Sequence, residues 1–153
     1  MEGDANAIVR PAEDSDVPDI LRLLEQLFLI EADFSFAQER QQKGVELLLS
    51  NKDACVLVAD FRGKVVGVIT VQRLISTAEG GYVGLVEDVS VETNFRCQGI
   101  GKQLERAACD WASTQGLLRL QLLADSSNSP ALNFYSKAGW NNTSLIALRK
   151  AIT

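Results

Sequence analysis

The spacing of apolar positions changes several times along this chain, and each change marks an element. Ala7 to Arg10 reads as a short strand ended by Pro11. Ser15 or Asp16 then caps a helix, with Pro18 tolerated in its first turn. Ile20, Leu21, Leu24, Leu27 and Phe28 recur at helical spacing and form its apolar face. A second helix is predicted from about Phe36 to Ser50, with Val45, Leu48 and Leu49 facing inward. The period then shortens. Ala54 to Phe61 is a buried-type strand, Arg62-Gly63 a hairpin turn, and Val65 to Leu74 the returning strand. After Glu79-Gly80-Gly81, a third long strand runs from Tyr82 to Val91.

Helical spacing returns at Ile100, Leu104, Ala107, Ala108 and Trp111, and Gly116 is placed to stop that helix. Leu117 to Ala124 reads as a buried strand. Asn128-Ser129-Pro130 opens a short helix with Ser129 as N-cap and Gly139 as its end. Trp140 to Leu148 is predicted as a last strand. The order β-α-α-β-β-β-α-β-α-β describes an α/β (α+β) sandwich with helices on both faces of a sheet.

Composition narrows this picture. With 153 residues and no repeat or linker-like tract, a single domain over residues 1–153 is expected. No apolar run approaches the roughly 20 residues of a membrane-spanning helix. The acidic N-terminus does not read as a signal peptide, so a cytoplasmic protein without membrane partners is expected. The net charge of −5 argues against nucleic acid as a partner and suits a cationic substrate. The three cysteines, Cys55, Cys97 and Cys109, form neither a CxxC pair nor an even disulfide framework. Histidine is absent, which excludes Ser-His-Asp and Cys-His machinery and His-ligated zinc. No metal is expected, and proton transfer falls to carboxylates, Tyr, Cys or water.

The strongest local signal for chemistry is a strand, a glycine-rich turn and a helix in succession. Val89-Ser90-Val91 leads to Arg96-Cys97-Gln98-Gly99-Ile100-Gly101, then Lys102. Such a turn aims backbone N–H groups at one point, the helix dipole adds partial positive charge, and Arg96, Lys102 and Arg106 add more. A pyrophosphate fits that nest. A plain packing turn is the alternative. The glycine spacing matches neither the dinucleotide-binding GxGxxG nor a phosphate-loop GxxxxGK, which disfavours a nucleotide-binding regulator.

Arg96-x-x-Gly99-x-Gly101 resembles the Q/R-x-x-G-x-G/A signature of the GNAT (GCN5-related N-acetyltransferase) family. Asn128-x-x-Ala131-x-x-Phe134-Tyr135-x-x-x-Gly139-Trp140 resembles that family's second motif, N-x-x-A-x-x-F-Y-x-x-x-G-F. Both occur in order, one helix and one strand apart, and the resemblance covers nearly the whole chain. It implies a mixed, mostly antiparallel sheet and acetyl-CoA as co-substrate. Val89, Ser90 and Val91 would meet the acetyl group and pantetheine arm. The segment from Arg96 through Cys97, Gln98, Gly99, Ile100 and Gly101 to Lys102 would hold the pyrophosphate. Asn128 would bind the pantetheine, and Tyr135 would protonate the departing thiolate.

A proton acceptor is also required. The run Glu87-Asp88-Val89-Ser90-Val91 is similar to the E-D-V-V-V segment of glucosamine-phosphate N-acetyltransferases. Strand alternation puts Glu87 and Asp88 on opposite faces unless the strand bulges. Glu87 is the first choice for the base, with Asp88 or water as alternatives. Glu31 and Asp33 are candidates for the wall of an amine pocket. The family commonly has glycine where Cys97 stands. Beside an arginine and a helix N-terminus, that thiol is expected either to be reactive, its modification blocking acetyl-CoA, or to be merely tolerated as a small residue. The expected activity is N-acetylation of a small-molecule amine such as an amino sugar, aminoglycoside or polyamine. A protein or peptide acceptor and a non-catalytic acyl-CoA sensor are the competing readings, and a homodimer through the last strand stays open.

Overall fold

The computed structural model describes residues 6–31 and 33–152. Its contacts divide the chain between Leu122 and Leu123 into two units.

In the first unit, β1 (Ile8–Pro11), β2 (Ala54–Phe61), β3 (Lys64–Ser76), β4 (Gly81–Val91) and β5 (Leu120–Leu122) form one sheet in that spatial order. The first four strands pair antiparallel, and β5 runs parallel to β4. The β2–β3 connection takes its shape from Arg62 and Gly63, whose φ values of 52° and 88° make the two-residue turn that matches strand twist. Asp60 Oδ1 accepts the Gly63 N–H at 2.8 Å and secures it.

Helices cover both faces of this sheet. From α1 (Val17–Ile30) and α2 (Gln38–Ser50), Ile20, Leu21, Leu23, Leu24 and Val45 pack on Val56, Val58, Val65 and Val68. On the other face lies α3 (Ile100–Thr114), which buries Ile100, Leu104, Ala108 and Ala112. Gly67 sets the spacing there, because a Cβ at that position would lie 2.9 Å from Leu104 Cδ1 and 3.2 Å from Ile100 Cγ2. The edge strand β1 is fastened by charge. Arg10 donates to both oxygens of the buried Asp16, at 2.7 and 3.0 Å, and to Asp60 Oδ2 at 3.2 Å.

In the second unit, α4 (Ser129–Lys137) has a capped start and a glycine end. Asn128 Oδ1 accepts the Ala131 N–H at 3.2 Å. Gly139, at φ 93°, reverses the chain so that the Trp140 N–H reaches back to the Tyr135 carbonyl at 2.9 Å.

The structure corrects several expectations. Pro11 closes β1 from within, as an edge strand permits. Leu23 joins the buried face of α1. The second helix starts at Gln38 rather than Phe36. The strand expected over Leu117–Ala124 shrinks to three residues. Leu117 is held to the end of α3 through Ala112 O, and pairing with β4 stops at Val86 and Leu122. The cap of α4 is Asn128, not Ser129. No strand forms over Trp140–Leu148. Leu145, Ile146 and Leu148 are exposed there, and the Leu145 N–H turns to Thr143 Oγ1. A strand exists only by pairing, and the Asn141-Asn142 pair and Ser144 favour turns over an extended ladder.

Candidate active site

Two of the candidate carboxylates meet at one irregularity in β4. On one side of it Val86 pairs with Val71, and on the other Val89 pairs with Ile69, so Glu87 and Asp88 together stand opposite Thr70. This is a β-bulge, and it places both carboxylates on the sheet face of Thr70. Asp88 is the more enclosed of the two, and Glu87 is exposed. Burial pushes the Asp88 carboxyl up to about 6. The nearby Glu87 charge adds to that rise, while a hydrogen bond from Thr70 opposes it.

Past the bulge the strand becomes regular again. The Glu92 N–H donates to Val66 O, toward β3, so alternation turns the backbone groups of Val89 and Val91 toward the opposite edge. Pairing with β5 has already ended at Val86, and among the described residues of the first unit that edge has no strand partner. Ser90 departs from the expectation of a cofactor contact. Its buried hydroxyl donates to the Leu23 carbonyl of α1 at 3.0 Å, tying the helix to the strand.

The turn after β4 folds back on it. Arg96 Nε donates to the Val91 carbonyl at 3.0 Å, and Gln98 Nε2 donates to Asn94 O at 3.1 Å. Gly99 stands at φ 84° immediately before α3, and Cys97 also has a positive φ of 60°. Left-handed residues in a tight turn draw successive N–H groups into one concavity. The first amides of α3, from Ile100 to Lys102, have no carbonyl of their own helix to bond. The Lys102 and Arg106 side chains line a groove of about 450 Å³ against Ala7 and Val9.

Cys97 is exposed, in a conformation where a Cβ is unfavourable. Cys97→Gly is therefore expected to stabilise the fold by about 0.5–1 kcal/mol, the relief of strain being partly offset by a freer unfolded chain. A urea midpoint that fails to rise would show that the turn bears no such strain.

In the second unit, the Asn128 oxygen is engaged as the helix cap, which leaves its Nδ2 as the donor toward a ligand. Tyr135 lies edge-on to Phe134 and Trp140, with ring centres 5.2 and 5.8 Å away. In the first unit, Glu31 and Asp33 lie in the connection after α1, where the Phe28 and Phe34 rings meet at 5.5 Å. Sequence reasoning missed Thr70 and named the bulge only as the exception to strand alternation. Gly84 and Val86 face one way with Val89 and Val91, a change of phase that the nearly continuous apolar run conceals in the sequence.

Among the described residues, no cluster of three or more His, Cys, Asp or Glu side chains could hold a metal ion. No described helix is long and apolar enough to cross a membrane.

Known proteins share this fold. Residues 18–140 match the acetyltransferase (GNAT) family. An uncharacterized N-acetyltransferase of Archaeoglobus fulgidus is 27% identical over 130 residues, which span 84% of this chain and 88% of that one. The aminoglycoside acetyltransferase meta-AAC0020 from an uncultured soil metagenomic sample, solved with trehalose, superposes with a TM-score of 0.79. It is 26% identical, over 96% of this chain and 97% of its own. The aminoglycoside N-acetyltransferase AAC(6')-Iy, solved with CoA, shares the fold at a TM-score of 0.83 and 16% identity, over 95% of each chain. The chain belongs to the acetyltransferase (GNAT) family and is an acyl-CoA-dependent N-acetyltransferase.

Proposed function

We propose that this enzyme transfers the acetyl group of acetyl-CoA to a primary amine of a small cationic molecule, by direct attack of the amine on the thioester. The observation that carries the reading is the bulge. It sets two carboxylates on one face of β4, one of them with a raised pKa, immediately before the edge of the strand at Val89 and Val91. The aminoglycoside acetyltransferase at 26% identity supports a small polyamine-like acceptor, as does the net charge of −5. The CoA complex of a fold neighbour supports the co-substrate.

The edge of β4 at Val89 and Val91 offers N–H and C=O groups to the thioester carbonyl and the pantetheine amides. The amides between Cys97 and Lys102 take the pyrophosphate, with Arg96 fixing the turn against β4. Asn128 donates to the pantetheine through Nδ2. The exposed Glu87 draws the ammonium group in, and Asp88 takes its proton, directly or through water. A carboxyl titrating near 6 is mostly ionised at neutral pH and remains basic enough to accept a proton. Tyr135 supplies the proton to the departing thiolate. Glu31 and Asp33 are the candidates for further ammonium groups of the acceptor. We assign all of this to one catalytic domain, acting in the cytoplasm with its three thiols free.

The test is release of free CoA from acetyl-CoA across amino sugars, aminoglycosides, polyamines, amino acids and peptides. Turnover is expected with the first three classes. Tyr135→Phe is expected to lower kcat about a hundredfold with little change in KM. Turnover with peptides alone would assign a protein substrate. Acetyl-CoA binding without any turnover would make the protein a sensor.

A further inference from the structure

The bulge creates a problem in the ladder. An antiparallel strand gives each N–H facing its neighbour a carbonyl to bond, but here two residues stand against one. The Asp88 N–H meets the Thr70 side chain, and Thr70 Oγ1 accepts it at 3.1 Å. The same hydroxyl donates to Asp88 Oδ2, also at 3.1 Å. A hydroxyl has one proton and two lone pairs, so a single Thr70 serves both contacts at once. Thr70 is 2% exposed, so water has little room to substitute.

We propose that Thr70 is a positioning residue for catalysis: its hydroxyl completes the ladder at the bulge and holds the Asp88 carboxylate in the direction and charge state that acetyl transfer needs. The proposal rests on the reading of Asp88 as proton acceptor. The other charged groups nearby leave this role to Thr70. On β3, Lys64 pairs with Glu92 and Arg73 with Asp53. On α1, Arg22 pairs with Glu92 and Asp19, and Glu25 is exposed. The face covered by α3, with Lys102, Glu105, Arg106 and Asp110, is the opposite one. Glu87 is the charged group acting on Asp88, and it acts against ionisation. The Thr70 hydroxyl acts for ionisation and sits on the carboxylate itself.

Thr70→Val keeps the shape and removes the hydroxyl. It is expected to move the Asp88 carboxyl titration, followed by carbon NMR and assigned with Asp88→Asn, upward by about one pH unit. The acid limb of kcat/KM should move upward with it. Thr70→Ser should restore both to within about 0.3 unit of the wild type. Should Thr70→Val fold poorly, Thr70→Cys, a weaker donor of similar size, should shift both in the same direction by less. An Asp88 signal unmoved in Thr70→Val or Thr70→Cys overturns the proposal, as does a moved signal with an unmoved acid limb. The carboxyl titration needs no turnover. A wild type inactive on every amine would thus overturn the acetyl-transfer reading, while a shifted Asp88 signal would leave the Thr70 coupling standing.

Discussion

Asp88→Asn is expected to lower kcat/KM for the acceptor amine by about a hundredfold to ten-thousandfold, the range over which a positioned general base acts. The substitution preserves the size of the side chain and an oxygen for the Thr70 hydroxyl, so the bulge should survive it. What is lost is the basic lone pair. In the wild type the rate should rise with pH as Asp88 ionises near 6, and in Asp88→Asn that limb should vanish. Glu87→Gln is the companion measurement. The Glu87 charge raises the Asp88 pKa, so its removal should move the acid limb to lower pH. A loss below tenfold in Asp88→Asn would transfer the base to Glu87 or to water.

The second large effect concerns stability. Asp16→Ala is expected to cost about 2 kcal/mol, because it removes two of the hydrogen bonds of Arg10, which keeps Asp60 as its partner, and leaves the Glu13 N–H without its acceptor. Urea denaturation should show a lower midpoint at unchanged slope. A loss below about 1 kcal/mol would rank this pair with ordinary surface ion pairs. Its pH dependence has a definite sign. Hydrogen bonds from Arg10 hold the Asp16 carboxyl below the usual carboxylate range. Its contribution is therefore present above about pH 4 and is lost as pH falls through the lower folded value. Asp88 acts in the other direction. Its raised pKa gives a contribution present below about pH 4 and lost as pH rises through about 6. Asp16→Ala should thus flatten the acid side of the stability profile.

The parts of this molecule that sequence patterns made legible are those decided by local chemistry. The strand Ala54–Phe61 and its Arg62-Gly63 turn were readable because a buried apolar run meets a two-residue hairpin signal. Gly116 and Gly139 marked helix ends because each takes a positive φ. The failures have a common cause in pairing. Leu145, Ile146 and Leu148 carry β propensity, but propensity does not supply a neighbouring strand. The β4 bulge was hidden because nearly every residue from Val83 to Val91 is apolar except Glu87, Asp88 and Ser90, so the phase of alternation could not be read. The role of Ser90 was out of reach for the same reason. Its partner, the Leu23 carbonyl, lies 67 residues away in sequence. The glycine-rich turn from Arg96 to Gly101 was legible as a motif. The carboxylate geometry beside it was not.

The bulge also makes this part of the chain a matter of parity. A strand repeats every two residues, and β4 carries one more residue opposite Thr70 than its partner supplies. Deleting either Glu87 or Asp88 would give a regular ladder in which every later residue keeps its present face, because one residue would then stand opposite Thr70. Ser90 would stay on the Leu23 carbonyl of α1 and Arg96 on the Val91 carbonyl, while the pair of carboxylates would become one. Substitutions here tune the site gradually. A deletion of one residue at the bulge is absorbed by the bulge itself, which leaves the strand beyond it in place and costs the site one of its two carboxylates.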